Sequence, residues 1–324
     1  MIDFRYHLVS LIAVFLAVAL GIVIGTTALN EPILADIENQ VADLEQDKRD
    51  LEDRTQGLQT QVDTADAFET AVAPALVDGT LAGRTVLLVS TNEDVTPEIV
   101  EQVTALIGEA GGSVSGALSL RPEFSDPSTA SSLQSYATGG GLPAGIELPA
   151  TDDAGQLIGG LMGEVLMTSP GGAATDATDA TDATDATAVS SVLSGLTALD
   201  VLSQDSDTVA PADYAVVLTA GAFSGEDAAE RNETLVELVS ALDAAGSGAV
   251  VAGDAASAGE NGLVGVIRAD PTVSAAISTV DNVGTAAGRI STVLALGSES
   301  EGTSGKYGTG EDTQPVPPVP ASAP

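Results

Sequence analysis

Thr85-Val-Leu-Leu-Val-Ser90 is a short apolar run with Gly79 and Gly83 ahead of it and Thr91-Asn-Glu-Asp94 behind. A run of that length between turn residues reads as a strand buried on both faces. Pro97 opens the next segment, where Ile99, Val103, Leu106 and Ile107 share one helical face as far as Glu109. Gly111-Gly112 end it, and Ser113 to Leu120 reads as a second strand. Strand, helix and strand in that order make the unit a parallel sheet requires, because parallel neighbours need a crossover between them.

Downstream the pattern recurs. Tyr214-Ala-Val-Val-Leu-Thr219 reads as a strand, Glu226 to Ala244 as a helix and Gly248-Ala-Val-Val-Ala252 as another strand. A further strand is expected at Leu263 to Arg268, and Thr285 is placed to cap a helix running through Leu296. Asp152 to Met167 and Ser190 to Leu202 read as helices on either side of four Thr-Asp-Ala triplets, Thr175 to Ala186. A three-residue period fits neither helix nor strand, so a disordered polar insert is expected at about 168–188. From Ser298 the chain turns rich in Gly, Ser and Pro, which predicts a tail over 298–324, unstructured beyond Tyr307. The expected fold class is α/β, with a Rossmann-like, mostly parallel head over 80–297.

Upstream, Leu8 to Leu29 carries no charge. As a helix it spans about 33 Å, enough to cross a bilayer core of about 30 Å. Residues 1–30 therefore read as a short N-terminus and a transmembrane anchor, with the lipid bilayer as a partner. Arg5 and the amino terminus lie ahead of the run, while Glu31, Asp36 and Glu38 follow it before any lysine. The positive-inside rule then predicts a single-pass protein of the cell membrane, N-terminus cytoplasmic and bulk extracytoplasmic. Phe4 and Tyr6 suit the interface, with His7 at headgroup depth. A cleavable signal peptide competes with this reading, but its apolar region runs only about 7–15 residues and Thr26-Thr27-Ala28 is a poor cleavage site. Gly21 and Gly25 give a small-xxx-small face on which two such helices could pack.

The segment 31–72 has heptad character. With Leu34 at position a, the core positions run Leu34, Ile37, Val41, Leu44, Lys48, Leu51, Thr55, Leu58, Val62 and Ala65. Charged residues fill the positions between. This is the pattern of a coiled coil, and aliphatic a positions with Leu at d suit a parallel dimer, polar Lys48 fixing its oligomer state. The competing reading, one amphipathic helix lying on the head, calls for a wider apolar stripe of about 100°. Pro74 and Gly79 to Gly83 are expected to break the helix.

The chain has 324 residues and a formal charge of −37, with Lys and Arg together only 10. Such a surface repels nucleic acid, which excludes it as a partner. No Gly-x-Gly-x-x-Gly or Gly-x-x-x-x-Gly-Lys-Ser/Thr loop follows the first strand, and Gly253-Asp254-Ala-Ala-Ser-Ala-Gly259 has no lysine. The one histidine, His7, is at the anchor, so a His-based triad cannot be built in the head. Asp254 and Asp281, at strand ends, read as turn and cap residues rather than as an acid–base pair. With no cysteine, one histidine and only Met162 and Met167 inside the chain, no intrinsic copper site is legible. No cofactor, no metal ligand, no catalytic residue and no enzyme activity are predicted.

Two stretches resemble a known family. Met1-Ile-Asp-Phe-Arg-Tyr-His-Leu-Val-Ser-Leu-Ile-Ala-Val-Phe-Leu-Ala-Val-Ala-Leu-Gly21 is similar to the N-terminus of the actinobacterial MctB family. Ser278-Thr-Val-Asp-Asn-Val-Gly-Thr-Ala-Ala-Gly-Arg289, with Leu294-Ala-Leu296 and Gly305-Lys-Tyr-Gly308, resembles its C-terminal signature. Arg5, Tyr6, His7, Asp281, Asn282, Gly288, Arg289 and Tyr307 match the pattern, and Arg289 is expected to pair with Asp281. The resemblance implies a role in copper homeostasis or copper efflux. The chain is also similar to SteB, a coiled-coil membrane protein of cell-envelope and division control, which implies a SteA-like partner protein. A copper-homeostasis protein and a non-enzymatic envelope scaffold are the two readings the sequence leaves open.

Overall fold

The computed structural model describes residues 4–139, 142–143, 145–169 and 180–318; the side chains of 26–38 and 180–185 lie outside the description. The first element is one helix, α1 (Phe4–Val77). The chain divides into two compact units, Met1–Ala65 and Asp66–Pro324, so the head takes in the last three turns of α1. Pro74 does not end the helix. Ala73 and Val77 are buried on either side of it while Pro74 itself is exposed, so the single missing N–H faces water and packing carries the helix past it.

The head alternates β1 (Thr85–Ser90), α2 (Pro97–Glu109), β2 (Ser113–Leu120), α3 (Ala130–Thr138), α4 (Ala154–Leu166), α5 (Ala180–Ala198) and β3 (Leu202–Gln204). It continues with β4 (Tyr214–Thr219), α6 (Ala228–Ala245), β5 (Ala249–Gly253), α7 (Leu263–Ala269), β6 (Ser278–Val280), α8 (Ala286–Glu299) and β7 (Lys306–Tyr307). The sheet order is β3-β2-β1-β4-β5-β6-β7. Every pairing is parallel except β2 with the edge strand β3. Alternate strand residues feed two cores. Leu87, Val89, Ala215, Val217 and Val251 pack on the side of α3 to α7, while Val86, Leu88, Val216 and Val250 pack on the side of α2, α8 and the end of α1. The α/β class and the mostly parallel sheet are as the sequence predicts.

Four expectations fail locally. Leu263 to Arg268 is a helix, α7, not a strand: Leu263, Val264 and Ile267 are buried at helical spacing, and a short apolar run does not by itself distinguish the two states. The helix expected through Leu202 stops at Ala198. Asp200 takes a left-handed φ of 59°, and Leu202–Gln204 turns back as the antiparallel edge. The Thr-Asp-Ala triplets are not wholly irregular, because α5 begins at Ala180 and extends backward from the buried Val189, Val192, Leu193 and Leu196. The triplet residues 175–179 lie outside the described residues. Finally, the head does not end at 297. Strand β7 adds to the sheet and Tyr307 bridges to Gln314.

Helices α4 and α6 approach closely. A Cβ at Gly159 would come within 3.1 Å of the Glu237 carbonyl oxygen, and one at Gly163 within 2.8 Å of the Ala241 carbonyl oxygen. The i, i+4 spacing of Gly155, Gly159 and Gly163 lets the two backbones meet.

Candidate functional site

Along α1, Phe4 to Gly25 is long and apolar enough to cross a membrane, with Arg5, Tyr6 and His7 in its first turn. Further on, Val41, Leu44, Leu51, Leu58 and Val62 make an apolar seam in which each side chain is at least half exposed among the described residues. Lys48 reaches Glu52 on its own helix at 3.4 Å. The side chains of Leu34 and Ile37 lie outside the described residues.

The C-terminal signature folds into a knot at the end of β6. Asp281 is 1% exposed and accepts from Arg268 Nη1 at 2.7 Å, Thr309 N at 2.7 Å and Gly310 N at 3.0 Å. Burial pushes its carboxyl up, but the guanidinium and the two N–H groups outweigh it and hold the carboxyl below its ordinary value. Arg268 is fully used, with Nε on Thr279 Oγ1 at 2.9 Å and Nη2 on the Tyr307 carbonyl at 2.8 Å. Gly308 has φ +128°, and a Cβ there would run into the Asp281 carboxylate. The partner of Asp281 is therefore Arg268, not Arg289. A strand at Leu263 to Arg268 hides this pairing; in the last turn of α7, Arg268 reaches the end of β6.

Arg289 serves a different junction. Its Nη1 donates to the Gly284 carbonyl at 2.9 Å, and Nη2 lies 4.0 Å from Asp66. Thr285 caps α8, its Oγ1 accepting from Gly288 N at 3.1 Å. Asn282 Nδ2 donates to the same hydroxyl at 3.3 Å. A Cβ at Gly288 would overlap the Asn282 carbonyl, so only glycine fits where α8 turns off the strand end. Asp66 accepts from Ala286 N at 2.6 Å and Glu69 from Ala287 N at 3.2 Å, placing two carboxylates of α1 at the positive end of α8.

A crevice opens at the same end of the sheet, between β1 and β4, where the strand order reverses. Ligands of open α/β sheets bind at such switch points. Its cavity is about 260 Å³ and is lined by Thr91, Asn92, Asp94, Thr219, Phe223 and Arg231, among others. Thr91 donates to Thr219 Oγ1 at 2.9 Å. Asn92 Nδ2 donates to the Ala220 carbonyl at 2.8 Å, leaving Oδ1 buried without a donor among the described residues. The sequence shows Thr91 to Asp94 and Thr219 only as residues at strand ends; chain order hides their meeting with Phe223 and Arg231, since Thr91 and Thr219 are 128 positions apart. Asp254, the other strand-end carboxylate, is a turn residue that accepts from Gly221 N at 3.0 Å and Ser257 N at 2.8 Å.

Compared with known proteins, residues 1–318 match the family model described as "Copper transport outer membrane protein, MctB". The chain belongs to the MctB family. The copper transporter MctB of Mycobacterium tuberculosis (strain ATCC 25618 / H37Rv) is 34% identical over 318 residues, 98% of this chain and 99% of that protein. That of Mycobacterium bovis aligns with the same figures. The Mycobacterium leprae protein of the same name is 33% identical over 312 residues, 96% of this chain and 97% of its own length. The family match and the apolar helix together support a membrane location.

Proposed function

We propose that this protein is a single-pass, membrane-anchored member of its family with a role in copper homeostasis or copper transport, and that it is not an enzyme. The observation that carries the reading is the match over nearly the whole chain to relatives named copper transporters. In this reading copper is the cargo. No part of the reading requires a resident metal site, and the two internal methionines, Met162 and Met167, are core residues. The anchor is an α-helix, the form that spans a membrane alone because it satisfies its own backbone. Arg5 in its first turn and the acidic residues behind it support an N-terminus inside and a head outside. The test compares copper sensitivity and cell-associated copper in a deletion strain and its parent. Increased sensitivity or accumulation is expected, and equal values overturn the reading.

A second reading rests on the exposed seam of α1. We infer that Val41, Leu44, Leu51, Leu58 and Val62 are covered by a second copy in a parallel coiled coil, which presents the head as an envelope scaffold to a SteA-like partner. Replacing Leu44 and Leu51 with Asp is expected to convert the detergent-solubilised protein to monomers. A parent protein already monomeric by sedimentation overturns this reading.

A further inference from the structure

We propose that the crevice between β1 and β4 binds a small zwitterion of amino-acid size, its carboxylate on Arg231 and its ammonium group towards Asn92 and Asp94. The first argument is the pairing of the arginines. Of the head's arginines, Arg84, Arg121, Arg268 and Arg289 each face a carboxylate, at 3.7, 3.3, 2.7 and 4.0 Å. Arg231 has no ion pair among the described residues. Asp126 feels its charge without reaching it. In a chain with formal charge −37, an arginine left without a carboxylate beside a cavity is out of keeping with the rest of the head.

The second argument is that this arginine is held ready. Its guanidinium carbon stands 4.6 Å from the centre of the Phe223 ring. Nε donates to Ser125 Oγ at 3.3 Å and Nη2 to the Pro122 carbonyl at 2.8 Å, which leaves Nη1 without a partner among the described residues. A guanidinium fixed on three sides loses little freedom when it takes up a carboxylate.

The third argument gives the other half of the ligand. Asn92 Oδ1 is a buried acceptor with no donor among the described residues, an arrangement that is costly unless something supplies an N–H or O–H. Its amide cannot be turned round, because Nδ2 is committed to the Ala220 carbonyl. Asp94 lines the same cavity, and its Oδ2 lies 3.9 Å from where a Cβ on Gly221 would stand. Acceptors on one side and a cationic donor on the other call for a molecule bearing both charges. A phosphate would satisfy Arg231 and leave Asn92 and Asp94 opposed to it. At about 260 Å³ the cavity falls below the usual range for ligand pockets, about 300–1,000 Å³, which favours a ligand with few heavy atoms over a dinucleotide.

The test uses the full chain in detergent, titrated calorimetrically with glycine, L-alanine, D-alanine, propionate and inorganic phosphate. At least one of the amino acids is expected to bind, with propionate about tenfold weaker or more and phosphate weaker still. Asp94→Asn, at an exposed position, is expected to keep the thermal midpoint of the free protein and to bring alanine and propionate to equal affinity. Arg231→Met is expected to abolish binding of both. No amino-acid binding at millimolar concentration, phosphate binding as tight as alanine, or binding that neither substitution changes overturns the proposal. None of these results depends on copper, so the proposal and the copper reading fail separately.

Discussion

Two arginines at the same end of one sheet are treated in opposite ways. Arg268, at the β6 edge, spends its whole guanidinium on Asp281, Thr279 and Tyr307 and is closed in by the chain beyond β7. Arg231, at the mouth between β1 and β4, is propped by Ser125, Pro122 and Phe223, lines a cavity and has one nitrogen without a partner among the described residues. The difference separates architecture from chemistry. Asp281 and Arg268 hold the fold's last strand in place, while the crevice between β1 and β4 holds the arginine on which the ligand proposal rests.

Asp281→Ala is the strongest way to break this contrast. It leaves Arg268 buried and unpaired and two N–H groups without an acceptor, a loss of about 3–5 kcal/mol read from urea unfolding. The folded carboxyl is held low, so the stability it contributes is complete above the unfolded value of about 3.9 and is lost as pH falls through the folded value. The gap between parent and Asp281→Asn should therefore narrow on acidification. Gly308→Val comes next, at about 2 kcal/mol in the same measurement, from its left-handed φ and the collision with Asp281.

Glu299 sharpens the comparison from the opposite end of the sheet. Burial pushes its carboxyl up to about 7 against the opposing hydrogen bonds of Ser278, with Asp243 adding repulsion. A raised carboxyl contributes stability that is complete below the unfolded value of about 4.3 and is lost as pH rises through the folded one. Glu299→Gln is therefore expected to be the more stable protein at pH 8, by about 1 kcal/mol after allowing for partial solvent access, and to match the parent near pH 5. The smallest effect is expected from Arg231→Met, under about 1 kcal/mol in thermal unfolding, because its bonds to Pro122 and Ser125 are part-exposed. A loss there as large as at Asp281 would erase the distinction between the two arginines.

The parallel sheet was legible wherever a strand was a bounded apolar run, as at Thr85–Ser90 and Tyr214–Thr219, and the α8 cap was legible in Thr285. Leu263–Ala269 misled because seven mostly apolar residues carry too few polar positions to display a period. Tail residues Thr309 and Gly310 look like linker by composition. Their order comes from a carboxylate that lies nearly 30 positions earlier, which local composition cannot report. The same reason hides the crevice. The glycine ladder of α4 differs, since its spacing was in view and only its partner helix was missing.

The helix α1 brings Ala73 and Val77 into the core under β1 and sets Asp66 and Glu69 on the first amides of α8. The border of the head thus falls in mid-helix, before any visible bend. A soluble fragment begun at Thr80, where loop residues invite a cut, lacks one wall of its own interior and two clasps on its last helix. One begun at Asp66 carries both.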